Sequence, residues 1–152
     1  ALDMFYDGKP KRYNAKYYIK NSITKLKDKG FIGFEEKNGK SFIKLTEKGR
    51  QKLLKYQLKE IVIKKPQKWD GKWRIVIFDI HEYRKRTRNE LRNELIHLGF
   101  IKLQNSVWVY PYDCEEVVIM LKAYFCIGKD ILYLLVEKME NDKWLKKEFN
   151  LR

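Results

Sequence analysis

The chain has 152 residues, which allows one ordinary domain or two small ones. Hydrophobic residues make up 44% of the chain and aromatic residues 14%, enough to build packed cores, and eight glycines with three prolines exclude a low-complexity sequence. No long apolar segment and no signal peptide is visible, so we expect a cytosolic protein that does not bind membranes.

The formal net charge of +14 is distributed unevenly along the chain. Residues 1–68 contain 19 Lys and Arg against 7 Asp and Glu, whereas residues 69–152 contain 15 against 13. Such asymmetry predicts that the first part of the chain meets a polyanion. Double-stranded DNA is the partner we expect. An anionic membrane surface is the competing interpretation, which the lack of a long apolar segment and of a signal peptide disfavours.

A helix is predicted after the irregular, basic residues 1–13. Asn14 suits an N-cap, and Gly30 suits the position that follows a helix ending near Lys29. Apolar residues at spacings of 4, 4 and 3 form one face, namely Ala15, Ile19, Ile23 and Leu26. The other face carries long polar and cationic side chains, namely Lys16, Tyr17, Lys20, Asn21, Thr24 and Lys27.

A hairpin and a second helix follow. Residues 31–36 and 40–45 alternate as strands around Asn38-Gly39, the strongest short signal for a type I′ turn. Thr46 is predicted to cap a helix over residues 47–58. This pattern resembles the second half of a winged helix-turn-helix, whose first helices either precede Ala1 or are missing from a reduced domain.

These elements predict DNA contacts. In a recognition helix, Asn21 can bond adenine bidentately and Lys20 can bond guanine or phosphate, while Lys37 and Lys40 at the hairpin tip would contact phosphates. The alternative is a lysine-rich surface that serves only solubility.

Residues 59–72 are predicted to form an extended linker between a DNA-binding unit (1–58) and a second domain (73–152). A strand over residues 73–78 ends at Asp79, and a helix runs from about Glu82 to Leu98, where Gly99 stops it. Two strands then meet at Asn105-Ser106, a helix starts at Asp113 with Glu116 as its capping partner, and a strand covers residues 131–136. This order predicts an α+β chain with a ferredoxin-like βαββαβ domain. A short helix over residues 141–149 is expected to lie against the sheet or a partner chain.

Two further features of the second domain concern partners. The apolar strand Val107–Tyr110 is expected at a sheet edge, which would favour a homodimer that covers it. On the helix after Asp79, Tyr83, Leu91 and Leu95 are expected to face the core. The arginines between Arg84 and Arg92 either bind a nucleic-acid backbone or pair with acids such as Glu90 and Glu94.

The runs WDGKWRIVIFDI, LGF and QNSVWVYPYDCEE occur in this order within residues 69–116. They resemble the central domain of PaaX-type transcriptional repressors, itself similar to CRISPR-associated protein two, and the resemblance covers about residues 68–136. It implies a repressor that dimerises through a ferredoxin-like domain. The alternative it implies is a metal-dependent nuclease, or a CRISPR adaptation protein that partners an integrase.

Catalysis and cofactors have little support in the sequence. In the nuclease-type relatives, the acid that ends the first strand binds a divalent metal, which makes Asp79 the one candidate for Mg²⁺ and for a catalytic role in an endonuclease. The favoured expectation is a regulator without cofactor, in which Asp79 bonds backbone amides or an arginine. Cys114 and Cys126 lack metal-like spacing with His81 or His97, so both are expected to be reduced packing residues.

Overall fold

The computed structural model describes residues 15–152, with side chains from residue 20 onward. The described chain has five α-helices and six β-strands: α1 (Ala15–Asp28), β1 (Ile32–Lys37), β2 (Lys40–Leu45), α2 (Glu47–Gln57), β3 (Trp73–Phe78), α3 (Lys85–His97), β4 (Ile101–Gln104), β5 (Val107–Tyr110), α4 (Glu115–Phe125), β6 (Ile131–Val136) and α5 (Lys143–Glu148). Short 3₁₀ turns occupy Glu82–Arg84 and Gly128–Asp130. The predicted N-cap Asn14 lies outside the described residues. None of the described helices is long and apolar enough to cross a bilayer.

Strands β3 to β6 form an antiparallel sheet in the order β4-β5-β3-β6. Helix α3 joins β3 to β4 and α4 joins β5 to β6, which is the βαββαβ arrangement predicted for this part of an α+β chain. The expected edge position of Val107–Tyr110 is wrong. Each helical crossover skips one strand position, so β5 inserts between β4 and β3 and the edges are β4 and β6.

The two faces of the sheet bury different layers. Val76, Phe78 and Trp108 are buried on the face that packs against α3 and α4. On the opposite face Trp73, Ile75 and Val109 are buried together with Leu145 of α5. Of the two predicted positions for the C-terminal helix, the structure therefore shows the one against the sheet.

The N-terminal unit, defined here as residues 15–58, packs on α4. Helix α1, strand β2 and helix α2 all contact this helix on the side away from the sheet. As a result Val117–Lys122 are all buried, around the full circumference of α4. Buried residues of the N-terminal unit and of the helical face of the sheet belong to one cluster, which includes Ile63 of the linker. The predicted domain boundaries at residues 58 and 72 stay a prediction.

Local signals placed most helix ends correctly. Gly30 follows α1 with φ 74°, and the N–H of Phe31 donates to the Leu26 carbonyl at 2.9 Å, which closes the helix. The Thr46 hydroxyl caps α2 by accepting the Gly49 N–H at 3.0 Å, and it also donates to the Gly30 carbonyl at 2.6 Å. Gly99, with φ 91°, follows α3.

Two helix starts differ from the prediction. Residues 82–84 form a 3₁₀ turn instead of the first turn of α3, so Tyr83 is 84% exposed and stacks on His81 instead of entering the core. Helix α4 begins at Glu115, and the Asp113 carboxylate accepts the Glu115 N–H at 3.2 Å. The predicted capping partner Glu116 instead pairs with Lys29, the residue that follows α1.

The cysteines are free thiols with different surroundings. Cys114 is buried and its thiol lies 3.8 Å from the Tyr133 hydroxyl, as expected of a packing residue. Cys126 is exposed at the end of α4, where its φ of 54° is left-handed, so the prediction of a packing role is wrong for this residue.

Candidate nucleic-acid interface

The outer face of α1 is cationic. Ile23 and Leu26 are buried, and Lys20, Thr24 and Lys27 are exposed at spacings of four and three, so these three lie along one stripe of the helix. Asn21 is only partly exposed at the flank of this stripe. The side chains of Lys16 and Tyr17 lie outside the described part of the structure.

The hairpin β1–β2 has the predicted turn. Asn38 and Gly39 have φ of 51° and 71°, the two positive values that a type I′ turn requires. Lys37 lies 3.8 Å from Glu35, which partly neutralises it. Lys40 is exposed and forms no ion pair with any described residue.

Helix α1 and the hairpin contact each other through a cation–π pair. The Lys27 ammonium lies 5.3 Å from the centre of the exposed Phe34 ring on β1. This contact places the C-terminal end of the α1 stripe beside the hairpin. Lys20, Thr24 and Lys27 therefore share one surface with an aromatic ring.

Polar contacts fix α1 on the N-terminal end of α4. The Ser22 hydroxyl donates to Glu115 at 3.2 Å, and Lys29, the residue that follows α1, binds Glu116 at 3.4 Å. Burial raises the pKa of Glu115, while the hydrogen bond from Ser22 and the charge of Lys122 oppose that increase. Burial also lowers the pKa of Lys122 to about 8. The position of α1 therefore depends on ionisable groups of the sheet domain.

The arginines of α3 and the preceding turn are mostly engaged within the chain. Arg84 donates to the carbonyls of Phe125 and Cys126, at 2.8 and 3.3 Å, and so caps the C-terminus of α4. Arg88 binds Glu82 at 3.0 Å. Arg92 donates to the Asn105 carbonyl at 3.1 Å.

Only Arg86 among these arginines extends fully into solvent, with its side chain 93% exposed and bound to Glu90 at 2.9 Å. Of the two predicted roles for this cluster, the geometry favours pairing within the chain. The predicted partner Glu90 is used. Glu94 instead interacts with Gln57 of α2, and burial raises its pKa.

The segment Trp69–Arg74, whose sequence indicated only a family resemblance, has a structural role in the folded chain. The Arg74 guanidinium is buried and binds both carboxylate oxygens of Asp70, at 2.7 and 2.8 Å. It also donates to the Pro111 carbonyl, as does the indole N–H of Trp69. The hydrogen bond from Arg74 holds the pKa of Asp70 below its usual range. These contacts of Trp69, Asp70 and Arg74, called the Asp70–Arg74 lock below, join the end of the linker to the residue that follows β5. In the sequence they are indicated only by the Asp-x-x-x-Arg spacing in a tryptophan-rich run.

Asp79 is exposed where β3 ends, and its carboxylate has no hydrogen-bond or ion-pair partner among the described residues. The expected backbone-amide or arginine partner is thus not present in the described part of the chain. In that part, no three His, Cys, Asp or Glu side chains are grouped so that they could hold a metal. A magnesium ion prefers several oxygen ligands, so Asp79 would need further ligands to hold one, and its role as a metal ligand stays a prediction.

The structure defines an α+β protein that combines a basic helix–hairpin–helix unit with a four-stranded antiparallel sheet and its two crossover helices. Residues 66–144 match the family model of the PaaX protein central Cas2-like domain, which is slightly more than half of the chain. The chain therefore belongs to the PaaX family, as the resemblance predicted. No curated protein matches the chain.

Proposed function

We propose that this chain is a cytosolic transcriptional regulator that binds double-stranded DNA with its N-terminal unit and dimerises through its ferredoxin-like domain. The observation that carries the proposal is the exposed stripe of Lys20, Thr24 and Lys27 beside a type I′ hairpin. A helix of this kind fits the major groove, and a hairpin tip beside it reaches the phosphate backbone, as in a winged helix. Family membership supports the regulatory role.

The contacts that fix the orientation of α1 on α4 support the same proposal. A helix that reads base edges must be held in one orientation, because a small rotation moves its side chains away from their hydrogen-bonding partners. The contacts of Ser22 and Lys29 with Glu115 and Glu116 hold α1 at two points, two turns apart. Dimerisation of the sheet domain would then set the distance between two such helices.

Dimerisation is supported by an open part of the sheet face. Leu134 pairs with Ile75 and Leu132 with Ile77, so all four side chains point to the face that carries α5. Ile75 is buried, but Leu132 is 56% and Leu134 is 37% exposed. A second copy that presents the same apolar surface would cover them in an isologous contact.

DNA binding is tested with the double variant Lys20→Ala/Lys40→Ala, which removes two exposed lysines that form no ion pair with described residues. The logarithm of affinity falls with the logarithm of salt by about 0.9 for each phosphate contact, so the variant should flatten that slope by roughly 2. Lys102→Ala/Lys129→Ala, on the sheet domain, is the matched control. Equal slopes for wild type and double variant would contradict the proposal.

Dimerisation is tested by light scattering of Leu132→Asp beside Val62→Asp. Both residues are exposed and apolar, but Val62 lies on the linker. We expect about twice the chain mass for wild type and Val62→Asp, and the monomer mass for Leu132→Asp, because a charge in an apolar contact is costly. A monomeric wild type at high concentration would refute this half of the proposal.

A further inference from the structure

Helix α2 carries a row of lysines that the recognition surface does not use. Lys48, Lys52, Lys55 and Lys59 are spaced 4, 3 and 4 residues apart, so the first three lie on one flank of the helix and Lys59 continues the row just past its end. At 1.5 Å per residue, Lys48 and Lys55 are about 10 Å apart along the helix axis. We call these four residues the lysine row.

The lysine row is not neutralised. Residues 47–68 contain eight Lys and Arg against two acids, Glu47 and Glu60. None of these eight cations forms an ion pair with a described residue. Among the earlier described lysines, Lys29, Lys37 and Lys44 do form ion pairs, and Lys20 and Lys40 do not. The linker lysines Lys64, Lys65 and Lys68 are exposed and extend the positive surface beyond α2.

The row lies on the flank of α2 that faces the end of α1. The Lys48 ammonium donates to the Lys29 carbonyl at 2.8 Å. Lys48 and Lys52 lie 5.3 and 5.8 Å from the centre of the Phe31 ring, and two residues separate Phe31 from the end of α1. The positive surface of α1 therefore continues directly onto α2.

The side of α2 opposite the lysine row is largely buried and offers no comparable positive surface. Gly49 and Leu53 are buried, and Tyr56 and Gln57 are partly buried. Leu54 and Leu58, which are 50% and 60% exposed, separate the lysine row from Arg50 on the far flank. The row is thus a narrow cationic strip, which suits a linear polyanion better than a flat surface.

We propose that the lysine row and Lys64 form a second phosphate-binding surface, which holds the DNA backbone beyond the segment contacted by α1 and the hairpin tip. The inference rests on the proposed function for the identity of the polyanion. It adds contacts without base readout, so it predicts binding energy that depends on salt and not on sequence.

The test is the triple variant Lys55→Gln, Lys59→Asn and Lys64→Gln. These side chains form no hydrogen bond, ion pair or cation–π contact with other described residues. Asn suits the left-handed φ of 59° at residue 59. The matched control changes three exposed lysines of the sheet domain to Gln, namely Lys85, Lys102 and Lys129. Affinity for a duplex of about 30 bp is measured between about 50 and 200 mM salt.

The triple variant should lower the salt slope by about 2.7, which reduces the salt-induced loss of affinity over this range by about 40-fold, while the control keeps the wild-type slope. The reduction should be the same for duplexes of unrelated sequence. An unchanged slope in the triple variant overturns the inference. A triple variant that instead loses binding to phosphatidylserine-containing vesicles, at an unchanged DNA slope, overturns it in favour of a membrane surface.

The variant Lys20→Ala/Lys40→Ala, measured in parallel, separates the two proposals. If it flattens the slope and the triple variant does not, only the second surface is refuted. If neither variant flattens the slope, both proposals fall. If only the triple variant flattens the slope, the lysine row is a DNA surface and the recognition role of α1 is refuted.

Discussion

The substitution Gly49→Ala tests the packing that sets α2 against the end of α1. A β-carbon at Gly49 would overlap the carbonyl oxygen of Phe31, and it would lie 2.9 Å from the Phe31 carbonyl carbon and 3.0 Å from Cδ1 of Leu45. The carbonyl is not free to move away, because it also accepts the Thr46 N–H at 3.0 Å. Either α2 moves outward or this hydrogen bond is lost.

The magnitude follows from three contributions. Alanine is better than glycine inside a helix by about 1 kcal/mol, which favours the variant. Overpacking typically costs about 1–3 kcal/mol, and an overlap with backbone atoms belongs at the upper end. Loss of the Thr46 hydrogen bond adds about 1 kcal/mol. The variant should therefore lose about 3 kcal/mol of unfolding free energy.

Urea unfolding followed by circular dichroism measures this loss. With a slope of about 2 kcal/mol per molar urea, the midpoint should fall by roughly 1.5 M. Gly33→Ala is the matched control, because a β-carbon there meets nothing within 4 Å, and an alanine in a strand should stabilise by about 0.5–1 kcal/mol. A Gly49→Ala midpoint equal to or above that of wild type would refute the close approach of α2 to Phe31.

Three further predictions concern titration, thiols and Asp79. The pKa of Lys122 is about 10.5 in the unfolded chain and about 8 in the folded chain. Between pH 8 and 10.5 the unfolding free energy of wild type should therefore rise relative to that of Lys122→Met, by on the order of 3 kcal/mol. Parallel pH profiles for the two proteins would contradict this prediction. A thiol reagent should modify Cys126 rapidly and Cys114 only after unfolding, because burial blocks access to Cys114 and raises its pKa; rapid reaction of both would show that the α4 start is open. Asp79→Asn should keep the wild-type DNA affinity, and neither protein should cleave DNA or RNA with Mg²⁺ or Mn²⁺; cleavage by wild type that disappears in the variant would establish a nuclease.

Tertiary structure decided the features that depend on residues far apart in the chain. The place of β5 inside the sheet follows from two crossovers, and no local pattern distinguishes it from an edge strand. The same holds for the arginines. Arg84 and Arg92 donate to carbonyls 41 and 13 residues away. Because the sequence does not show these distant partners, it supported nucleic-acid binding by the arginines as much as pairing within the chain. Likewise, the Asp70–Arg74 lock becomes visible only when Pro111 is brought beside it.

The sequence by itself determined the features that short-range physics controls. Asn38-Gly39 specifies its turn because both residues tolerate positive φ, and Thr46 caps α2 through its own hydroxyl. The βαββαβ order of elements along the chain was therefore readable, although the place of β5 within the sheet was not. Whether a cation is free or neutralised was not readable, because that depends on which acids packing brings within a few ångströms. The isolation of the lysine row, and the docking of α1 on Glu115 and Glu116, are properties of the folded chain alone.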